Sequence, residues 1–202
     1  MIAEFKSNEG YANSYVICRF HECIIINPSH SYESIISYVG ARNIIGLFVT
    51  EVSKHTIDQI GYYQVPLYLT KQHYEAIKSE NIIDGYRYSK EYPFYLEKIN
   101  VQKIEEEKIF LIGDLELKIH MINGLIKPVT VFELEDNLFV GNLFDDKKIA
   151  KKATYKGAIY DLKRSITKFV GFSDYYTLYH SYRGKNSLKN EKIINFDFNR
   201  WV

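Results

Sequence analysis

A layered α/β or α+β domain is predicted by three features of the sequence. Short helices alternate with short strands in the first half. Strand-like runs cluster in the middle. No Gly/Ser/Pro linker or repeat of fixed period divides residues 1–202, so one domain is expected. Residues 13–18 and 23–26 read as two β-rich runs joined by the polar turn Arg19-Phe20-His21-Glu22. Asn27-Pro28-Ser29 breaks the second strand. Residues 31–39 read as a helix with Ile35, Ile36 and Val39 on one face. The branched, apolar run 44–50 suggests a fully buried strand. A helical turn or two follows at 57–62, a strand at 65–69 and a helix at 71–78. Residues 81–95, full of Tyr and charge, read as a surface excursion. Strands are expected at 108–112, 116–122, 129–134 and 138–140, with Asp136-Asn137 turning between the last two. A helix at 156–170, a strand at 176–179 and a helix at 187–194 complete the pattern.

The chain has 202 residues, 46% of them hydrophobic, which is too apolar for disorder. A chain of this size buries a full core without metal or disulfide staples. Its net charge of +1 argues against whole-chain attraction to nucleic acid or an anionic membrane. No run reaches the roughly 20 apolar residues of a membrane helix. Met1-Ile-Ala-Glu-Phe-Lys6 carries no charged leader ahead of an apolar run, so a cytoplasmic location is expected. Cys18 and Cys23 flank the first turn and can face each other across two strands. The reading adopted for them is a pair of small buried hydrophobes in a reducing cytosol. The 18 tyrosines, with abundant Ile, Lys and Asn, look like codon bias and carry little functional weight.

Several fragments, read in order, resemble the metallo-β-lactamase fold, most closely the compact hydrolases of the glyoxalase II type. Asn13-Ser-Tyr-Val-Ile17 followed by Ile24-Ile-Ile-Asn-Pro28 resembles the opening hairpin, which ends in Asp-Pro-Gly in that family. Ile45-Gly-Leu-Phe-Val-Thr50 resembles the strand entering the metal loop, and Val65-Pro-Leu-Tyr68 the strand after it. Ile122-Asn-Gly124-Leu-Ile-Lys-Pro128-Val129 stands where a Gly-His-Thr-Pro-Gly loop is expected. Leu138-Phe-Val-Gly141-Asn142-Leu-Phe144 resembles Leu-Phe-x-Gly-Asp-x-Leu-Phe. Tyr179-His180-Ser181 stands where Gly-His-Gly is expected, and Ser187-Leu-Lys-Asn-Glu191 resembles Thr-Leu-x-x-Glu. The resemblance spans nearly the whole chain. It implies a four-layer αββα sandwich with a dinuclear metal site at one edge of the sheets, where two close metals activate a water.

The motif residues depart from that pattern almost everywhere. Against Thr-His-x-His-x-Asp-His the chain reads Thr50-Glu51-Val52-Ser53-Lys54-His55-Thr56. Glu51 and Ser53 take the first two His positions, His55 the Asp position and Thr56 the third His position. Leu125 replaces the loop His, which should make the cleft more apolar. Asn142 replaces the bridging Asp, and an amide coordinates metals poorly. Only His180 keeps the expected side chain. No other His lies in the 50–56 window, and none lies between His120 and His180. Each metal needs about three or four imidazole or carboxylate ligands. The dinuclear site therefore cannot assemble, and no cofactor is expected.

The expectation is a catalytically degenerate protein that binds a small molecule or a protein partner at the former cleft, with a homodimer as one arrangement. The alternative is a divergent hydrolase with one zinc, iron or manganese ion at Glu51, His55 and His180. His120 reads as a strand-face residue, His21 and His30 as solvated turn residues, and His73 as a helix residue without a partner. Ser53 beside His55 or His180 lacks the Gly-x-Ser-x-Gly elbow of a serine hydrolase. The basic run Lys147, Lys148, Lys151, Lys152, Lys156, Lys163, Arg164 and Lys168 reads as a solvated face rather than a nucleic-acid strip. Tyr175, Tyr176, Tyr179 and Tyr182 are read either as lining the cleft mouth or as ordinary packing.

Overall fold

The computed structural model describes residues 1–6, 10–57, 59–78, 99–105, 108–145 and 148–195. The tyrosine-rich 81–95 excursion lies outside the described residues. Strands β1 (Ile2–Phe5), β2 (Ser14–Arg19), β3 (Glu22–Ile26), β4 (Asn43–Phe48), β5 (Leu67–Thr70) and β6 (Val101–Ile104) form one six-stranded sheet in sequence order. Strands β7 (Ile109–Ile112), β8 (Leu115–Ile122), β9 (Val129–Leu134), β10 (Asn137–Gly141), β13 (Thr177–His180) and β14 (Asn186–Ser187) form a second sheet, in the order β14-β13-β10-β9-β8-β7. A two-stranded ribbon, β11 (Phe144–Asp145) and β12 (Lys148–Ile149), stands apart. Helices α1 (Tyr32–Val39), α2 (Lys54–Ile57), α3 (Lys71–Lys78), α4 (Ala158–Val170) and α5 (Leu188–Ile194) complete the described elements, with a 3-10 turn at Ile60–Tyr62.

Strand alternation builds the layers. In β2 and β3, Tyr15, Ile17, Ile24 and Ile26 point toward the second sheet, where they meet Phe132, Leu134 and Phe139. Val16, Cys18, Cys23 and Ile25 point the other way, onto Ile35 and Val39 of α1. The outer face of the second sheet buries Val131, Leu138 and Val140 against Leu162, Ile166 and Phe169 of α4. Three apolar layers thus separate four structural ones, the αββα order the resemblance implies.

The helix ends follow local chemistry. Ser31 caps α1 by accepting from the Ser34 N–H, and Ser187 caps α5 by accepting from the Asn190 N–H. The hairpin between β9 and β10 turns at Glu135-Asp136, one residue earlier than expected, with Glu135 at a φ of 51°. Strands β1, β6, β11, β12 and β14 carry no clear sequence signal, the last three being only two residues long.

The cysteine expectation is corrected. Cys18 and Cys23 form a disulfide. They are directly paired across β2 and β3 with a Cα–Cα distance of 4.1 Å, and both side chains point to the α1 face. Their pairing removes the thiol argument for a reducing cytosol. Among the described residues no helix is long and apolar enough to cross a membrane.

Candidate functional site

The site lies at the ends of β3, β4, β10 and β13. Asn27, just past β3, sits at a φ of 54°, a conformation Asn tolerates better than most side chains. Its amide joins the two sheets. The Asn27 Nδ2 donates to Thr50 Oγ1 at 2.9 Å and to Ser181 Oγ at 3.2 Å, and the Thr50 N–H returns a bond to Asn27 Oδ1 at 2.9 Å. The Thr130 N–H on β9 donates to the Thr50 carbonyl at 2.7 Å. Thr50 is thereby held from both sheets, and it aims the next side chain, Glu51.

Glu51 is buried. Its Oε2 accepts from Thr50 Oγ1 and from the Asn142 N–H at 3.3 Å. Its Oε1 is buried with no hydrogen-bond partner among the described residues. Burial raises the Glu51 pKa above the usual carboxylate range, and the bonds from Thr50, Ser181 and Asn142 and the charge of Lys127 only partly oppose that. Lys127 is affected reciprocally, its ammonium pKa lowered by desolvation and raised by Glu51. Gly141 makes the arrangement possible. It sits at a φ of 58°, and a Cβ there would come within 2.3 Å of Glu51 Oε2 and 2.5 Å of Thr50 Oγ1.

A cavity of about 310 Å³ opens beside Glu51. Ser53, Asn142 and Tyr182 supply polar wall, while Lys127 and Lys151 bring positive charge. Val52, Val129, Ile126 and Ala150 supply the apolar remainder. Tyr182 has its hydroxyl pKa pushed up to about 12 by desolvation and then by Glu51, with a bond from Ser53 pulling the other way.

The structure distributes the motif positions unevenly. Glu51, Ser53 and Asn142 share the cavity wall. Thr56 does not reach it. Its hydroxyl accepts from the Ser53 N–H at 3.0 Å and donates to the Glu51 carbonyl at 2.8 Å, closing the 51–56 loop on itself. His55 packs edge-on against Tyr11, with ring centroids 5.3 Å apart, away from the cavity. Leu125 joins the core under α4, so the apolar gain falls to its neighbour Ile126 instead.

His180 is buried on the outer face of β13. Its Nδ1 lies 3.3 Å from Arg183 Nη2, and its Nε2 lies 3.9 Å from Glu191 Oε2, beyond hydrogen-bond reach. Its pKa is lowered to about 3 by burial and then by Arg183. Glu51, His55 and His180 are therefore not brought together, which corrects the alternative mononuclear site. Among the described residues no three His, Cys, Asp or Glu side chains are grouped to hold a metal ion.

The other candidates find structural partners. His120 Nε2 meets Glu133 Oε2 at 2.7 Å across β8 and β9, on the strand face as expected. His73, expected to lack a partner, is buried with its Nε2 3.1 Å from the Pro128 carbonyl. His30 is half-buried against Phe5 rather than solvated. Tyr179 stacks on Phe139 in the inter-sheet core, Tyr176 stacks on Phe172, and Tyr175 is exposed. Of the four tyrosines only Tyr182 lines the cavity. In the basic run Lys148, Lys151, Lys152, Lys156, Lys163, Arg164 and Lys168 are exposed, and Lys147 lies outside the described residues.

Sequence reasoning missed Lys127 as a wall residue, while Tyr182 was read as one of four tyrosines either lining the cleft mouth or packing. The signal for Lys127 was its place in the 122–129 loop. Tyr182 follows the end of β13 by two residues, where side chains no longer alternate as in a strand.

Two six-stranded sheets packed face to face between helices, with a cleft at their strand ends, define the metallo-β-lactamase fold. The sequence matches no protein-family model and no curated protein. The structure is similar to a crystal structure of the BLEG-1 B3 metallo-β-lactamase, with a TM-score of 0.73 and 16% identity over 98% of this chain and 99% of that one. It is similar also to ETHE1 from Myxococcus xanthus, with a TM-score of 0.67 and 15% identity over 97% of this chain and 83% of that one. A third similar structure, TTHA1623 in a di-iron-bound form, has a TM-score of 0.66 and 12% identity over 92% of this chain and 94% of that one.

The metals implied by such a fold do not fit the residues present. Among the described residues the cavity wall offers one carboxylate and no imidazole. One oxygen of that carboxylate is already used twice, and burial favours its neutral form. Lys127 and Lys151 add like charge against any cation.

Proposed function

We propose that this chain uses the metallo-β-lactamase fold as a binding scaffold rather than as a two-metal hydrolase. A small ligand occupies the cavity beside Glu51, and its capture serves a regulatory or carrier role. The observation that carries this reading is the make-up of the wall: Glu51, Ser53, Asn142, Tyr182 and two lysines in place of a dense set of imidazoles and carboxylates. Two-metal hydrolysis needs paired cations to generate and hold a hydroxide. A hydroxyl, an amide and a single buried carboxyl do not replace them. The scaffold itself survives the loss, because its three apolar layers are filled by side chains and not by metal ligands. A panel of thioester, lactone and phosphodiester substrates tests the reading. Flat progress curves are expected. Turnover that EDTA abolishes would contradict it.

A further inference from the structure

Eight of the 26 basic residues fall within 147–168, against one of the 25 acidic ones, Asp161. The chain as a whole carries +1, so its charge is segregated. Sequence alone reads this run as a solvated face. The structure adds a fixed geometry, unspent charge and open aromatic rings.

The Ala153 N–H donates to the Gly124 carbonyl at 2.7 Å and the Ile126 N–H to the Lys151 carbonyl at 2.9 Å, which holds the loop that carries Lys152. The Tyr155 hydroxyl donates to Asp161 Oδ2 at 2.6 Å and ties the loop to α4. On α4, Tyr160, Lys163, Arg164, Thr167 and Lys168 are exposed at i, i+3, i+4, i+7 and i+8, one stripe about 12 Å long. The opposite stripe, Leu162, Ile166 and Phe169, is buried in the core. Elsewhere Arg19, Lys118, Lys185 and Lys192 each lie within 4.0 Å of a carboxylate. Lys152, Lys156, Lys163 and Arg164 have no such partner among the described residues. Between these cations stand Tyr160, 76% exposed, and Tyr155, 51% exposed with its tip anchored on Asp161.

We propose that the 152–156 loop and the solvent side of α4 bind single-stranded nucleic acid, with phosphates on Lys152, Lys156, Lys163 and Arg164 and bases stacked on Tyr155 and Tyr160. Unpaired cations hold a phosphate backbone, and exposed rings take any unstacked base. A duplex keeps its base faces covered and offers the tyrosines nothing. An anionic membrane fits less well, because the apolar face of α4 is buried and has no access to a bilayer. An acidic peptide meets the lysines but gives the two rings no flat partner. The proposal goes beyond the cavity reading and shares no contact residue with it, so the failure of either leaves the other standing.

Fluorescence anisotropy of a short labelled oligothymidylate titrated with the full chain tests it. Binding is expected to be tighter than to a duplex of the same length. It should weaken about 50-fold between 50 and 200 mM salt, the scale of roughly four phosphate contacts. Combining Lys163→Ala with Arg164→Ala should weaken it and flatten that salt dependence. Tyr160→Ala should cost about tenfold at every salt concentration, and Tyr160→Trp should restore the affinity. All three side chains are exposed, so these variants leave the core intact. Equal or tighter binding of the duplex, or undiminished binding by Tyr160→Ala, would overturn the single-strand assignment. Undiminished binding by the double variant would take the site off α4 and overturn the proposal. Tighter capture of phosphatidylserine vesicles or of polyglutamate would assign another class of partner and overturn it too, as would an unchanged anisotropy at low salt.

Discussion

Two buried glutamates, Glu51 and Glu191, sit in the same molecule and are treated in opposite ways. Glu191 on α5 is fully buried and its two oxygens are both satisfied. Arg183 Nη2 donates to them at 3.3 and 3.4 Å, Asn186 Nδ2 at 3.0 Å and Asn195 Nδ2 at 3.4 Å. All of these partners come from one stretch of chain, residues 183–195. Glu51 is held by Thr50 from its own loop, by the Asn142 N–H just past β10 and by Ser181, and its Oε1 has no hydrogen-bond partner among the described residues. The first carboxylate has the environment of a structural clamp. The second is buried behind the wall of a cavity with one oxygen unmatched among the described residues. Burial alone does not distinguish the two roles; whether both oxygens are met does.

The largest expected effect lies at the clamp. Glu191→Ala removes the acceptor of three side chains and leaves Arg183 without its carboxylate, so unfolding free energy should fall by about 3 kcal/mol in urea denaturation. A loss well under 1 kcal/mol would erase the contrast. Next is Gly141→Ala. Its methyl group would press on Glu51 and Thr50 from a left-handed backbone, and a loss of about 2 kcal/mol is expected by the same method.

The two regions should also respond to pH with opposite sign. The folded-state pKa of Glu51 is raised, so its contribution to stability is intact below the ordinary carboxyl value of 4.5. Stability is lost as pH climbs from there through the raised folded value, because the unfolded chain ionises first. Of the groups facing Glu51, Tyr182 has its pKa pushed up to about 12, and Lys127 has its pKa lowered by desolvation against the opposing charge of Glu51. Glu51→Gln should therefore flatten the fall above pH 4.5 in a stability profile measured by denaturation at successive pH values. His180 beside Glu191 does the reverse. Its folded pKa of about 3 lies below the ordinary imidazole value of 6.5, so stability falls as pH drops from 6.5 toward 3. His180→Gln should remove that acid limb. The smallest effect is expected at the cavity rim. Tyr182 is 43% exposed, and Tyr182→Phe should change unfolding free energy by under about 0.5 kcal/mol.

Much of the fold was legible because apolar periodicity survives divergence. The expected helix at 71–78 and the observed α3 coincide, and the hairpin of β2 and β3 falls within a residue of its expected limits. The two-residue strands β11, β12 and β14 were not legible, since two residues make no pattern. The site was legible in part. Glu51, Ser53 and Asn142 were read onto one cleft and do share one wall. Leu125 and His180 were not placed correctly, because linear spacing does not say which face a side chain takes. Neighbouring positions on a strand or bridge point to opposite sides. Leu125 faces the α4 core while Ile126 faces the cavity, and Tyr179 and His180 divide between the inner and outer layers. The disulfide was legible as a geometric option and was set aside on compartment grounds, which a sequence does not decide.

Counting metal on the intact chain tests the central claim most directly. After dialysis against zinc and manganese and removal of the free ions, native mass spectrometry should show the bare polypeptide mass. A species carrying two ions per chain, lost in Glu51→Gln or in Asn142→Ala, would contradict the account.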